Sequence, residues 1–250
     1  MMARDSAPAA IVRLDTVDST QSVAFGLAER GAADRTVVVA DQQLAGRGRR
    51  GRLWRAPAGT SLLASIIVRP RLPQTLLPTF SPMTAVATAE ALRRVAPVAA
   101  RVKWPNDVLV GGKKIAGILL ESRAPVIIIG IGVNLGQREF PPELAGHATS
   151  VALETGRAPD RETMLSALLE EFDAWRVRLE REGFGAVREQ WRMLSDTLGR
   201  HVALDGVTGI AVDLDVDGAL LIDAGGTVRR VIAGEIAWDE AAAGSRARGR

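Results

Sequence analysis

The chain of 250 residues contains no cysteine, no tyrosine and only two histidines, His147 and His201. Without cysteine it has no disulfide framework, no thiolate metal site and no thiol nucleophile. The scarcity of histidine argues against a histidine-based catalytic triad and against a multi-histidine zinc site. Any chemistry of this chain therefore depends on other side chains or on groups that its substrates bring.

Two further absences concern location and partners. The N-terminal sequence MMARDSAPAA has no apolar h-region, and the longest apolar runs, such as residues 126–131, are far shorter than the ~20 residues of a membrane span. We therefore predict a cytoplasmic protein with no membrane partner. The net charge is only +3, which argues against general DNA binding, because nucleic-acid-binding proteins usually concentrate basic residues on one face.

The most distinctive segment is GRGRRGRLW, residues 46–54, with four arginines and three glycines. It fits a nucleic-acid patch, a dinucleotide-binding G-x-G-x-x-G turn, a solvated basic loop or a mobile loop that closes over an anionic small molecule. The dinucleotide interpretation requires a helix directly after the glycines, whereas the next residues, RAPAGT, cannot open one. For the anion-binding loop we expect residues 44–57 to become ordered only when ligand binds.

Three later motifs decide among these interpretations: KWPNDVLV (103–110), KKIAGILLE (113–121) and GIGVNL (130–135). Together with GRGRRGRLW, in this order and spacing, they resemble the biotin protein ligase family. The first strand of the catalytic domain begins near residue 11, so we expect the monofunctional form, without the N-terminal DNA-binding domain of the regulatory members.

The pattern of apolar and turn residues predicts an α+β fold. The resemblance implies a mixed, mainly antiparallel central sheet with flanking helices, as in class II synthetase-like ligases, in residues 11–198. It also implies a small SH3-like β-barrel in residues 199–238, with disordered tails at 1–10 and 239–250. We predict a helix that begins at Pro82 with Ser81 as its N-cap, a long helix capped by Asp160, and a following helix over residues 184–198.

The resemblance also implies the reaction. Biotin and ATP would form biotinyl-5′-AMP and pyrophosphate, and a lysine on the biotin carboxyl carrier domain of an acyl-CoA carboxylase would then attack the adenylate. Mg²⁺ would accompany ATP, and the protein would be a monomer or weak homodimer. The alternatives are a lipoate or octanoate ligase of the same fold and, more remotely, a non-catalytic nucleic-acid-binding protein.

Site residues follow by position in the motifs. The predicted catalytic residues are Lys114, Arg49 and Asp107, of which Asp107 would also hold Mg²⁺. The predicted biotin-binding residues are Ser19, Thr20, Gln21, Gln43, Arg47, Gly48, Arg49, Lys114 and Gly117. The predicted nucleotide-binding residues are Arg49, Trp54, Asn106 and Asn134.

Several of these residues have an ordinary structural use as well. Ser19 and Thr20 can cap a helix, Asn106 and Asp107 suit a turn, and Trp54 can simply pack in the core. Lys113, the strand neighbour of Lys114, is expected to be the exposed lysine of the pair, because adjacent strand residues face opposite sides.

Overall fold

The computed structural model describes residues 10–234 and 236–238. The predicted disordered tails lie outside these residues, apart from Ala10, whose carbonyl accepts a hydrogen bond from Val37 N–H. None of the described helices is long and apolar enough to cross a bilayer.

A seven-stranded mixed sheet forms the centre of the molecule, in the order β1-β2-β3-β7-β6-β5-β4. Only β1 and β2 pair in parallel, and the other neighbours are antiparallel. The strands are β1 (Ile11–Val17), β2 (Val37–Gln43), β3 (Ser61–Val68), β4 (Arg101–Lys103), β5 (Asp107–Val110), β6 (Lys113–Arg123) and β7 (Val126–Asn134). The predicted sheet type is therefore confirmed.

Helices cover this sheet unequally. The helices are α1 (Thr20–Glu29), α2 (Phe80–Val95), α3 (Val151–Thr155), α4 (Arg161–Glu182) and α5 (Phe184–Leu194). Helices α2, α4 and α5 contribute to one extended apolar core on one face. On the other face, α1 packs Ala24 and Phe25 against Val38, Ile67 and Ile128 in a smaller cluster. Because α1 is short, it covers only part of its face.

The helix ends were predicted with mixed success. Asp160 caps α4 as predicted, since its Oδ2 accepts a hydrogen bond from Thr163 N–H at 2.8 Å. The predicted start of α2 at Pro82 is wrong, because α2 begins at Phe80. Proline is compatible with the first helical turn, where the backbone N–H groups have no intrahelical partner, so it does not mark the first residue.

The predicted end of α5 at residue 198 is also wrong, because the helix stops at Leu194. Ser195 adopts an extended conformation, and its Oγ accepts hydrogen bonds from the N–H groups of Thr197 and Leu198. The N–H of Asp196 bonds the carbonyl of Val102 in β4. A serine hydroxyl that satisfies nearby backbone donors offers the chain an alternative to further helix.

A second, five-stranded antiparallel sheet follows, as predicted for the C-terminal region. Its order is β11-β10-β9-β8-β12. The strands are β8 (His201–Leu204), β9 (Val207–Leu214), β10 (Leu220–Asp223), β11 (Val228–Val231) and β12 (Ala237–Trp238). Its apolar side joins the main core, and Trp104 Nε1–H donates to the carbonyl of Gly218 at 3.0 Å. This contact fixes the second sheet beside the turn between β4 and β5.

Candidate active site

A cavity of about 410 Å³ lies on the face of the large sheet that α1 leaves uncovered. Strands β3, β6 and β7 form its floor, the segment 46–55 covers it, and Gly234 and Ile236 of the C-terminal region close one end. Its volume lies in the range of small-molecule sites in proteins. The four resembling motifs therefore all meet at one cavity.

The floor of the cavity is made of glycines at alternate strand positions. A Cβ atom at Gly130 would lie 2.6 Å from Gln21 Oε1, and one at Gly132 would lie 2.6 Å from Trp54 Cε2. At Gly117 it would lie 2.9 Å from Lys114 Cε. Cβ contacts this short are essentially never seen, so a side chain at Gly132 would displace the Trp54 ring, and one at Gly130 or Gly117 would displace the end of Gln21 or Lys114.

One end of the cavity is polar and neutral. Gln43 Oε1 accepts hydrogen bonds from both the backbone N–H (2.8 Å) and the hydroxyl (3.0 Å) of Thr20. Gln21 is bonded at both ends of its amide, to Ser65 Oγ and to the carbonyl of Ile128. The network fixes these side chains before any ligand arrives, which lowers the entropic cost of binding.

Ser19 differs from its neighbours in this network. It is the N-cap residue of α1, yet its side chain makes no capping hydrogen bond. Its Oγ is buried and has no hydrogen-bond partner. A buried hydroxyl without a partner is unfavourable, so a ligand atom at this end of the cavity would restore the missing bond.

The segment 46–54 forms a tight hairpin. Arg47 and Leu53 form a β-bridge, Gly48 N–H bonds the carbonyl of Arg52, and Trp54 N–H bonds the carbonyl of Gly46, both at 2.8 Å. Its tip, Arg49–Gly51, is a short 3-10 turn in which Arg50 has a positive φ of 56°. The absence of a helix at this point agrees with the rejection of a dinucleotide-binding turn.

Arg47 and Arg49 of the hairpin contact different parts of the site. Arg47 forms an ion pair with Glu121 of β6 at 2.6 Å. Arg49 enters the cavity and donates to Asn106 Oδ1 (3.1 Å) and to the carbonyl of Gly234 (3.4 Å). Burial, and then the positive charge of Arg50, lower the pKa of Arg49 from its ordinary value. An anion beside Arg49 would offset both effects.

Lys114 and Lys113 are separated as predicted. Lys113 is exposed, whereas Lys114 lines the cavity. Lys114 Nζ lies 2.7 Å from Asp107 Oδ1 and 5.7 Å from the centre of the Trp54 ring. Asp107 Oδ1 accepts no well-aligned hydrogen bond, so the contact with Lys114 is electrostatic. An incoming anion would therefore compete with Asp107 for the ammonium group.

The two predicted asparagines are both already bonded within the protein. Asn106 accepts from Arg49 and donates to the carbonyl of Ile118 at 2.6 Å. Asn134 is buried, donates to the carbonyl of Thr149 and accepts from Gln137. Both residues line the cavity, but their present bonds are of a kind that hold neighbouring groups in place.

Trp54 lies over the glycine floor, close to Gly117 and Gly132. Its ring is half-buried, and its Nε1 is buried without a hydrogen-bond partner. It therefore faces the cavity and is not a core residue, although the sequence left both interpretations open.

Several cavity residues were not predicted. Ser65, Lys103 and His147 line the cavity, as do Gly234 and Ile236 of the C-terminal region. Alternation along β3 could have indicated Ser65, since it is a polar residue inside an otherwise apolar buried strand. No local signal could have placed residues 234 and 236 there, because they follow β7 by about one hundred positions and meet it only through the fold.

Among the described residues, no group of three or more metal-ligating side chains is present. Asp107 is the single carboxylate among the described residues that line the cavity. Seven cationic side chains line the same space: Arg47, Arg49, Arg50, Arg52, Arg55, Lys103 and Lys114. The arrangement suits an anionic ligand.

Comparison with known proteins agrees with this geometry. Residues 14–136 match the biotin/lipoate A/B protein ligase family, and residues 197–237 match the biotin protein ligase C-terminal domain. The chain is 38% identical over 223 residues to the biotin–[acetyl-CoA-carboxylase] ligase of Paracoccus denitrificans, which covers 84% of this chain and 92% of the relative.

Solved structures give the same answer. A biotin protein ligase from Aquifex aeolicus, in complex with biotin and ATP, superposes with a TM-score of 0.83 at 31% identity, covering 91% of this chain and 97% of that one. The Leishmania major biotin protein ligase in complex with biotinyl-5-AMP superposes with a TM-score of 0.66 at 28% identity, covering 91% and 100%. By sequence, by the fold of both sheets and by the composition of its cavity, the chain belongs to the biotin protein ligase family.

Proposed function

We propose that this chain catalyses ATP-dependent biotinylation of a lysine on a biotin carboxyl carrier domain, through biotinyl-5′-AMP. The observation that carries the proposal is the cavity itself. Its neutral polar end, its glycine floor and its cationic cover face one space of about 410 Å³, which suits a ligand with a polar, uncharged ring system at one end and a carboxylate at the other.

The substrates supply the reacting groups. A carboxylate oxygen of biotin forms a bond to the α-phosphorus of ATP while the bond from that phosphorus to the bridging oxygen breaks, and pyrophosphate leaves. The carrier lysine then attacks the carbonyl carbon of the mixed anhydride, and AMP leaves. No nucleophile from the protein is needed, which agrees with a chain without cysteine. The protein must position two anions and stabilise phosphoryl charge.

At the neutral end, we assign the ring system of biotin to Ser19, Thr20, Gln21 and Gln43. The ureido group has both donors and acceptors, and the unpartnered Oγ of Ser19 can serve either. Gln21 and Thr20 act by holding the wall, since both are bonded to Ser65. Gly117 allows the ligand to approach the strand closely.

At the cationic end, we assign the biotin carboxylate and the α-phosphate to Lys114 and Arg49, with Arg47 and Gly48 in the covering hairpin. A lysine acts as a point charge on an oxyanion, whereas an arginine supplies forked donors. Trp54 would stack on the adenine. Asn106 orients Arg49, and Asn134 would contribute to the nucleotide site through the wall that it holds.

For Mg²⁺, Asp107 is the candidate protein ligand. Mg²⁺ commonly takes one or two carboxylates and completes its octahedron with water and substrate phosphates, so one carboxylate at the site fits such an ion. Bound there, the ion would neutralise phosphate charge. Asp107 itself holds Lys114 within 2.7 Å.

Other features remain part of the proposal. The carrier would be a carboxylase domain in the cytoplasm, the protein a monomer or weak homodimer, and residues 11–198 and 199–238 its two domains. Size-exclusion chromatography with light scattering, with and without biotin, tests the oligomeric state.

The direct test of function compares biotin with lipoate. Pyrophosphate release from ATP is measured with each acid, followed by mass spectrometry of an acyl-CoA carboxylase carrier domain. We expect release with biotin and a single biotinyl addition to the carrier. Release with lipoate and none with biotin would transfer the chain to lipoate ligation, and release with neither would refute the adenylation reaction.

A further inference from the structure

Lys103, the last residue of β4, lines the cavity at the end that the C-terminal region closes. It is half-buried, and its Nζ lies 3.5 Å from the carbonyl oxygen of Ile236. Its Cα is paired across the β4–β5 ladder with that of Asp107. The ammonium group therefore belongs to the same site as Lys114, but enters it from a different strand.

The two lysines of the cavity lie on opposite sides of Asp107. Strand β5, which carries Asp107, lies between β4 and β6, so Lys103 and Lys114 approach it from opposite sides. Lys114 lies towards Gly117 and the Trp54 ring. Lys103 and Arg49 both contact backbone carbonyls of the C-terminal region, at residues 236 and 234. Lys103 thus adds a positive charge on the β4 side of Asp107, in addition to Lys114 and Arg49, which are assigned to the carboxylate and the α-phosphate.

The additional charge of Lys103 matches the charge of the proposed substrates. ATP has three phosphate groups and the biotin carboxylate adds a further anion, whereas Lys114 and Arg49 are assigned only to the carboxylate and the α-phosphate. When pyrophosphate leaves, negative charge increases on the β-phosphate, away from the carboxylate. Burial lowers the pKa of Lys103, while the charge of Asp107 opposes that change. A phosphate group beside the ammonium would compensate for its lost hydration.

We propose that Lys103 is a further catalytic residue, which binds the β- and γ-phosphates of ATP and stabilises pyrophosphate as the bond to the α-phosphorus breaks. The electron pair of that bond goes to the departing oxygen, and the ammonium group offsets the new charge. This role rests on the adenylation reaction proposed above. It is confined to the first half-reaction, because no pyrophosphate is present when the carrier lysine displaces AMP.

The confinement to one half-reaction gives a sharp test. The full-length Lys103→Met variant removes the charge and keeps much of the apolar stem, Lys103→Arg keeps the charge, and Lys113→Met removes an exposed lysine as a control. Two rates are measured for each: biotin-dependent exchange of labelled pyrophosphate into ATP, and single-turnover transfer from synthetic biotinyl-5′-AMP to the carrier domain.

For Lys103→Met we expect exchange to fall about 10- to 100-fold, the effect of losing one hydrogen bond to a charged group, with a raised KM for pyrophosphate. The rate of transfer from the preformed adenylate should stay within about two-fold of wild type, because no pyrophosphate is present in that half-reaction for Lys103 to stabilise. Lys103→Arg should recover part of the exchange, and Lys113→Met should behave as wild type.

Two results would overturn the assignment. Unchanged exchange in Lys103→Met would show that the ammonium does not act on the phosphates. An equal loss in both half-reactions would show a structural role, and transfer also reports whether the variant is folded. If wild type itself shows no biotin-dependent exchange, the proposed function fails and this assignment fails with it; if wild type exchanges normally, only the role of Lys103 is in question.

Discussion

The two faces of strand β7 are made from alternating residues of one segment, yet one face packs in the core and the other forms part of the cavity floor. Towards α2 and α4 the strand presents Ile127, Ile129, Ile131 and Val133, all within the main core. On the other face, Val126 and Ile128 at its start pack beneath α1, and Gly130 and Gly132 then face the cavity. The same strand is therefore filled on one side and open on the other at Gly130 and Gly132, because these two residues have no side-chain atoms.

The comparison shows how a rigid site is obtained. The filled face anchors the strand in the core, and the anchored strand then holds the empty face in shape without requiring bulky residues there. Changes on the filled face should therefore affect stability, and changes on the open face should affect chemistry. Each prediction below tests one side of this division.

Lys114→Ala should have the largest effect, and it should be on chemistry alone. Lys114 is proposed to pair with the biotin carboxylate and the α-phosphate, and removing one member of such a pair in a semi-buried site costs roughly 2–5 kcal/mol. Adenylate formation should therefore be slower by a factor of about 30 to several thousand. Pyrophosphate release measures it, with a melting curve for folding. Lys113→Ala is the matched control. A larger loss of activity in that variant would mean that Lys113, and not Lys114, is the lysine of β6 that binds the substrate anions.

Gly132→Val should abolish most activity without unfolding the protein. The new Cβ would clash with the Trp54 ring, and overpacking of this kind costs about 1–3 kcal/mol. We expect the clash to displace Trp54 and to fill part of the cavity, which would prevent substrate binding. Valine suits a strand, so the backbone should tolerate it. Exchange rates and thermal melting are measured together.

The matched change on the filled face is Ile129→Val. It should lower the free energy of unfolding by about 0.5–1.5 kcal/mol and leave the exchange rate unchanged. The division between faces would be refuted if Ile129→Val reduced catalysis as much as Gly132→Val does.

Arg49→Gly should loosen the cover of the cavity more than it slows the reaction inside. Arg49 joins the hairpin to Asn106 and Gly234, and losing these bonds, each worth about 1 kcal/mol, should speed release of biotinyl-5′-AMP about ten-fold. Adenylate in the filtrate and labelling of bystander lysines report the release. Arg50→Gly removes an exposed pair with Asp205 at 3.7 Å but no bond to Asn106 or Gly234, so that variant should release little adenylate. Equal release from both variants would contradict a specific role of Arg49.

Glu171→Gln should have the smallest effect, on stability alone. Burial raises the pKa of Glu171 despite the nearby Arg94, so the fold favours its protonated form. The stabilisation that this raised pKa gives the folded state is complete below the pKa of Glu171 in the unfolded chain, near 4.5. It is lost as the pH rises through the pKa of Glu171 in the folded protein. Above the folded pKa, the Glu171→Gln variant should be as stable as wild type, or more stable by about 1 kcal/mol or less. Urea unfolding at pH 4 and pH 7 would detect the change, and a larger advantage for glutamine at pH 4 would contradict the sign.

The sequence was most informative where a pattern is local. Capping by Asp160 and the opposite faces of Lys113 and Lys114 both depend on neighbours within a few residues. The predicted start of α2 was wrong because proline is compatible with any position of the first helical turn. The predicted end of α5 was wrong because a tertiary contact takes part in it, the hydrogen bond from Asp196 N–H to β4. A role of Lys103 in the site was not predicted for a similar reason, because its contact with Ile236 joins residues that are far apart in the sequence.

The most direct test of the division between the two faces is a crystal structure with biotin bound. We predict the bicyclic ring over the glycine-bearing face of β7, within hydrogen-bonding distance of Ser19 Oγ, with the carboxylate directed towards Lys114. Biotin bound elsewhere, with no ligand above Gly130 and Gly132, would contradict both the site and the explanation of why these two positions carry no side chains.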